Sequence, residues 1–450
     1  MRQLQWLYDR FLEDTTRSAM VWHDRLFSYG WLLERVECWH QRFAAENLGS
    51  NAVVALEGDY SPEVVAALLA LIDTKAVVVP LTASVSAHRE EFLEIAEVQF
   101  VISFLEDPEG HLVRRTDVKP VKELTRTVIA RDHPGLVLFS SGSTGRSKAA
   151  LHDFVPLLEK FGVRRQSLVS LTLLLLDHIG GINTLFYVLS NCGTLVTVQT
   201  RTPDDICAAI EKHRVELLPT SPTFLNLLLL AEATSRYDLT SLKRVTYGTE
   251  VMPPATLQRI HEAIPTAELL QTYGLSEVGI LRSKSRSSDS LWLKVGGEGF
   301  ETKVQDGTLW IRAKSAMLGY LNAPSPFDAD GWMNTGDAVE VDGDYLRILG
   351  RKSEMINVGG LKVYPAEVED VLAQMPNVKD VAVTAESHPL TGQIVVARFN
   401  LRAEESPTDL KRRMREFCRQ RLATYKIPAK IEVTDREQYS GRFKKMRRKL

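Results

Sequence analysis

Nine consecutive residues, Ser140-Ser141-Gly142-Ser143-Thr144-Gly145-Arg146-Ser147-Lys148, gather hydroxyls, glycines and two cations into one short stretch. Glycines let a backbone turn tightly with its N–H groups facing one centre, hydroxyls donate to oxyanions, and Arg146 and Lys148 add positive charge. Such a composition suits the holding of a polyphosphate. The spacing is Gly-x-x-Gly-x-x-Lys, which is neither the Gly-x-x-x-x-Gly-Lys-Ser/Thr of a P-loop nor the Gly-x-Gly-x-x-Gly of a dinucleotide fold. A flexible surface linker has a similar composition. What favours function is the position directly behind an apolar run at 136–139.

A loop of this kind needs a strand to deliver it and a sheet to hold the strand. β-rich runs at 52–56, 76–79 (closed by Pro80), 100–104, 136–139, 193–198, 216–219 and 244–247 alternate with helical stretches such as 64–72, which Ser61 caps and Pro62 opens. Strands alternating with helices predict mainly parallel sheets covered by helices, with ligands bound beyond the carboxyl ends of the strands. From Gly307 the pattern changes to short strands and an Asp-Gly turn, a β-rich subdomain. After Arg351 it becomes α+β: helices at 363–375 and, capped by Ser406, at 406–422, with strands at 380–386 and 393–401. The fold class read from this is α/β, a large N-terminal domain (1–351) with a small mobile α+β domain (352–450) behind it.

Composition narrows the class. The chain has 450 residues with 55 Lys+Arg and 57 Asp+Glu, and a 44 % hydrophobic share typical of globular proteins. Residues 352–450 hold 20 basic and 13 acidic residues, a net of +7, against −9 for the remainder. That contrast points to a basic domain attracted to phosphates or an acidic partner. No aromatic platform or helix-turn-helix pattern accompanies the basic tail, so nucleic acid is not an expected partner. The four cysteines form no CxxC pair, no run approaches the roughly 20 apolar residues of a membrane span, and the N-terminus lacks a signal-peptide core. A cytoplasmic protein is expected.

Several elements, in order, resemble the adenylate-forming superfamily, which includes acyl- and aryl-CoA synthetases, luciferase-like enzymes and carrier-protein-loading adenylation domains. The first is Ser140–Lys148, with Ser147 where the family has Pro and Ala149 where it has Gly. The second is Gln271-Thr272-Tyr273-Gly274-Leu275-Ser276-Glu277, and the third Gly331-Trp332-Met333-Asn334-Thr335-Gly336-Asp337. Ile348-Leu349-Gly350-Arg351 follows, then the run from Met355 through Gly359-Gly360-Leu361-Lys362 to Glu369. The resemblance runs from about residue 56 to the end of the chain.

The resemblance implies activation of a carboxylic acid by ATP to an acyl-adenylate with release of pyrophosphate, then capture of the acyl group by a thiol. It places the nucleotide among Ser140, Ser141, Gly142, Ser143, Thr144, Gly145 and Lys148, the loop Gly248-Thr249-Glu250, and Thr272, Tyr273, Gly274 and Ser276. Ser276 would donate to the α-phosphate, Tyr273 would offer its face to adenine, and Glu277 would ligate Mg2+. Asp337 and Arg351, with Ile348 beside them, would hold the ribose. The tail would deliver a lysine, Lys444 by gapless alignment from Pro428, although Phe443 stands where a glycine is expected and Arg442 and Lys445 are rivals. The small domain would pivot at Lys352-Ser353-Glu354 and swing Gly359 and Gly360 in to line a tunnel for the thiol arm.

The acyl pocket is expected from Asp177-His178-Ile179-Gly180-Gly181, residues 221–226, residues 247–250 and those after Glu277. His178 would gate it. Ile179 stands where amino-acid activators of the family carry Asp, which favours an aliphatic or aromatic acid. The thiol is CoA or the phosphopantetheine of an acidic carrier protein, with the +7 domain suited to either. A homologue that binds nucleotide or acyl groups without catalysis is the alternative from another class, kept by the changes at Ser147, Ser353 and Phe443.

Overall fold

The apolar runs become strands because each is buried on both faces. The computed structural model describes residues 2–115, 119–141 and 147–447. Within residues 18–320 two seven-stranded sheets form. One runs Glu268–Gln271, Arg244–Tyr247, Leu217–Thr220, Val169–Leu171, Thr194–Val196, Ser18–Trp22, Arg25–Ser28, and is parallel except at its last pair. The other is mixed, with Val53–Glu57, Val77–Leu81, Phe100–Ser103 and Gly135–Ser141 parallel at its centre. Pro62–Asp73 packs beside it as a helix whose apolar run, Val64 to Ile72, is buried, and Ser61 Oγ accepts from Val64 N at its start.

Two local expectations change. Pro80 does not close its strand, which continues to Leu81. On one edge that strand pairs only through Val77 and Val78, so a missing N–H at Pro80 breaks no ladder bond on that side. The phosphate-loop strand Gly135–Ser141 returns directly as Ser147–Asp153, an antiparallel hairpin that sets Ser140 opposite Lys148.

A six-stranded antiparallel sheet covers 282–351 and pairs Met333–Asp342 with Tyr345–Arg351, which makes Asp337 and Arg351 register partners. Beyond the 3-10 turn Lys352–Glu354, a five-stranded sheet of residues 356–433 packs on the helices Pro365–Ala373 and Pro407–Cys418 around its own core of Val368, Leu372, Phe399, Leu410 and Met414. Among the described residues no helix is long and apolar enough to cross a membrane.

Candidate active site

The parallel strands Leu217–Thr220, Arg244–Tyr247 and Glu268–Gln271 end in register, Thr220 beside Tyr247 beside Gln271. The loops leaving them therefore open at one place, where the carboxyl ends of an α/β sheet bind ligands. A cavity of about 660 Å³ lies there. The helix Ile179–Ser190 forms one wall, and Lys148, Glu277, Arg351 and Lys444 reach it from four separate segments.

Ser140, Lys148, Gly248, Thr249, Thr272, Gly274, Ser276, Glu277, Arg351, His178 and Lys444 line the cavity. Gly248 is required sterically: a Cβ there would lie 2.6 Å from Thr272 Oγ1 and 2.7 Å from the Thr272 carbonyl oxygen. Glu277 accepts a short hydrogen bond from the Tyr320 hydroxyl, and the Lys148 ammonium sits 5.0 Å from the centre of the same tyrosine ring. His152, fully buried, donates from Nε2 to the Ser276 carbonyl at 2.6 Å and fixes the turn that presents Ser276 and Glu277. Burial pushes its pKa down to about 4, so the ring is neutral. The roles of Tyr320 and His152 were not anticipated. The signal for His152 lay in the apolar strand following Lys148, whose burial made a histidine there a structural donor.

His178 is the N-cap of Ile179–Ser190, its Nδ1 accepting from Gly180 N at 3.0 Å. Burial first, then the nearby Lys444 and Arg442 charges, hold it well below the usual histidine range. It is a neutral ring whose Nε2 carries the proton.

Several expected residues lie outside the cavity lining. Tyr273 is 8 % exposed and packs in the core of the β-rich subdomain, outside the cavity lining. Its hydroxyl donates to Asp337 Oδ2, so it holds that carboxylate instead of presenting a free face. Asp337 is buried behind Arg351, whose Nε lies 2.9 Å from Oδ1. Burial raises its pKa, while Arg351 and the Tyr273 hydroxyl oppose the rise. Ile348 packs against the same core and does not reach the cavity.

Glu250 is outside the lining as well: its Oε2 accepts from Lys445 N (2.8 Å) and Thr223 Oγ1 (3.1 Å), a contact between body and tail. Residues 221–226 form no wall, because Ser221 caps the helix Pro222–Leu230 and Phe224 packs inward. Asp177 turns away toward Thr82, and Gly181 presses on the Leu175 carbonyl, which a Cβ would meet at 1.9 Å. Gly359 and Gly360 form an exposed turn remote from the cavity. Gly142, Ser143, Thr144 and Gly145 lie outside the described residues, as does the side chain of Ser141.

The tail distinguishes its three cations. Phe443 adopts φ 51°, the left-handed conformation a glycine takes easily, and its ring meets Phe224 edge-on at 5.0 Å and Tyr439 at 6.4 Å. Its carbonyl accepts from Ser221 Oγ at 2.8 Å. On either side the cations are engaged. Arg442 Nη2 lies 3.0 Å from Asp177 Oδ2, and the Lys445 ammonium pairs with Asp380. Lys444 has no carboxylate within ion-pair distance among the described residues and enters the cavity, where burial lowers its pKa. Arg447 ties the tail to its own domain through Glu369 and Glu354, each at 2.8 Å.

The arrangement can hold a polyanion, since the lining carries several cations, Lys148, Arg351 and Lys444 among them, and one half-buried carboxylate, Glu277. Among the described residues no group of three or more His, Cys, Asp or Glu is placed to hold a metal ion. Glu277 is a single hard oxygen ligand, of the kind that shares a magnesium ion with phosphate oxygens.

Residues 10–321 match the model of the AMP-binding enzyme family and residues 367–444 that of the AMP-binding enzyme C-terminal domain. The 2-succinylbenzoate–CoA ligase of Bacillus subtilis is 27 % identical over 488 aligned positions, covering 100 % of this chain and 97 % of that protein. The 3-[(3aS,4S,7aS)-7a-methyl-1,5-dioxo-octahydro-1H-inden-4-yl]propanoyl:CoA ligase of Rhodococcus jostii is 28 % identical over 71 % of this chain. That match spans 65 % of the relative, just under two thirds of its length. The crystal structure of the anthranilate CoA ligase AuaEII in complex with anthranoyl-AMP superposes with a TM-score of 0.84 over 99 % of this chain and 96 % of that one, at 21 % identity, a likeness of fold. The chain therefore belongs to the AMP-binding enzyme family, the adenylate-forming superfamily that its motifs resemble.

Proposed function

We propose that this protein activates a carboxylic acid with ATP, releasing pyrophosphate, and passes the acyl group from the resulting acyl-adenylate to the thiol of CoA. The observation that supports it most is the convergence of Lys148, Glu277, Arg351 and Lys444 on one cavity, with Arg442 and Lys445 neutralised elsewhere. A carboxylate is a poor electrophile and repels a triphosphate. Lys444 would lie between the two anions, letting a carboxylate oxygen bond to the α-phosphorus as the bond from that phosphorus to the β-bridging oxygen breaks and pyrophosphate leaves. Lys148 would neutralise the departing phosphates, and Glu277 would hold a magnesium ion, which supplies charge neutralisation there. Arg351 and Asp337 would bind the ribose hydroxyls, and neutral His178 would border the acyl group without adding charge. In the second step the thiolate adds to the acyl carbon and AMP leaves with the bonding electrons.

In this reading residues 1–351 form the base and 352–450 the lid. The conformation described is the adenylating one, and a pivot at Lys352–Glu354 brings Gly359-Gly360 toward the cavity for thiol transfer. A second acceptor, the phosphopantetheine of an acidic carrier protein, is favoured by one feature. Lys411, Arg412, Arg415, Arg419 and Lys430 line a surface recess beside the helix Pro407–Cys418. The four cysteines are unpaired, in keeping with a cytoplasmic setting. Acid-dependent ATP–pyrophosphate exchange over a panel of carboxylic acids tests the activity; exchange with no acid would refute it, and thioester yield with CoA against holo-carrier proteins separates the acceptors.

A further inference from the structure

The cavity continues past His178 along Ile179–Ser190, and one side chain on that arm is out of keeping with an acyl pocket. Lys160 projects from the 3-10 turn Glu159–Phe161 into the lining. Its ammonium donates to Asn183 Oδ1 at 2.6 Å and to the Ile280 carbonyl at 3.0 Å, and lies 5.1 Å from the Phe161 ring centre. All these neighbours are neutral. Among the described residues no carboxylate lies within ion-pair distance of it, and the nearest charges are more cations, Arg165 and Arg282. Arg165 lines the same arm and has no ion pair; Arg282 has only Glu298, at 3.8 Å and exposed. Burial and these cations lower the Lys160 pKa to about 7.

A cation withdrawn from water without a counter-ion is costly, and cavities that keep one generally do so for an anionic ligand. In the reading above the nucleotide's phosphates would be met by Lys148 and Lys444, which leaves Lys160 with no anion of its own. Asn183 is five residues along the helix from His178, so the two positions differ by about 7.5 Å of axial rise. That is the length of a benzene ring substituted at opposite ends, or of a short alkyl spacer.

Resting on the acid-activating reading above, we propose that the acid this cavity takes carries a second carboxylate, about one ring-length from the one activated, and that Lys160 receives it with Asn183 orienting the ammonium. The activated carboxyl would lie near Lys444 and His178, and the second would replace the missing counter-ion among Lys160, Arg165 and Arg282.

The test compares matched pairs of acids, adipate against hexanoate and terephthalate against 4-methylbenzoate, in ATP–pyrophosphate exchange and in thermal-shift binding without ATP. The expected result is kcat/KM at least tenfold higher for the diacid in one or both pairs. Lys160→Met should lower that preference at least tenfold, chiefly through KM, and abolish diacid-dependent stabilisation, while Lys160→Arg retains both. A preference near one in the natural protein, or one unchanged by Lys160→Met, overturns the proposal. Exchange with monoacids alone overturns this inference and leaves the activating reading standing. Lys160-dependent diacid binding without exchange does the reverse, and neither exchange nor binding overturns both.

Discussion

Replacing Asp177 with asparagine removes the charge of the buried carboxylate that the tail's Arg442 touches, at nearly constant shape. The Asp177 side chain is 3 % exposed and that of Arg442 23 %, with the oxygen and nitrogen 3.0 Å apart and Thr82 Oγ1 donating to the same oxygen at 2.8 Å. A charge-assisted hydrogen bond of this kind contributes about 1.5–3 kcal/mol net. The attraction itself, about 5.5 kcal/mol at 3.0 Å and an effective dielectric constant of 20, is partly offset by desolvation. Asparagine keeps the Thr82 bond, so the loss falls on the contact between body and tail. A loss of about 2 kcal/mol is close to 30-fold in the ratio of lid-closed to other states. Single-turnover measurements of the two half-reactions read this directly. Pyrophosphate release with acid and ATP should slow by up to that factor, and thioester formation from preformed acyl-adenylate should not slow. Arg442→Gln should do the same, and the double variant should be no worse than either single one. Equal slowing of both half-reactions, or additive losses in the double variant, would refute the idea that the pair acts by holding the lid.

Lys444→Ala removes the tail cation that enters the cavity, and pyrophosphate release should fall about 10²–10³-fold, the effect of losing one charge-stabilising donor; unaltered release would move the role elsewhere. At Phe443, alanine loses the contacts with Phe224 and Tyr439 but keeps the left-handed backbone, whereas glycine loses the contacts and relieves about 1 kcal/mol of strain. Adenylation rates should therefore rank natural protein, then glycine, then alanine; with no part for the ring in closure, glycine would rank first and the natural protein would fall level with alanine. For a diacid substrate, kcat/KM should decline as pH rises through about 7, because the ammonium of Lys160 loses its proton there in the free enzyme. The matched monoacid should lack that limb, and so should the diacid with Lys160→Arg.

How far the site was legible in the chain depended on whether each residue's role is local. Strands such as Arg244–Tyr247 and Thr308–Ala313 were visible because burial of both faces, or alternation, leaves its mark on adjacent residues. The caps at Ser61 and Ser406 were visible for the same reason, since donor and acceptor are three residues apart. The bond that fixes the Tyr273 hydroxyl was not visible because its partner, Asp337, is 64 positions away. The three tail cations could not be separated until Asp177 and Asp380 were placed beside two of them, each brought by a distant segment. Phe443 shows the limit from the other side. Where a glycine was expected, the backbone still takes the geometry of one, and the contacts that make this tolerable come from Phe224, more than two hundred residues earlier. The face Ile179, Asn183, Tyr187 of the acyl wall did have a sequence signal, the i, i+4 spacing of one helical stripe, but the stripe is mixed in polarity and resembles neither core nor surface. Its meaning comes from Lys160. An unneutralised cation among neutral acceptors is a property of an assembled volume, and no window of sequence contains Glu159–Phe161, Asn183 and Ile280 together. The residues assigned here to the nucleotide thus sit in short motifs, whereas those proposed to select the acid are scattered over more than a hundred positions, and they must be read from the cavity they enclose.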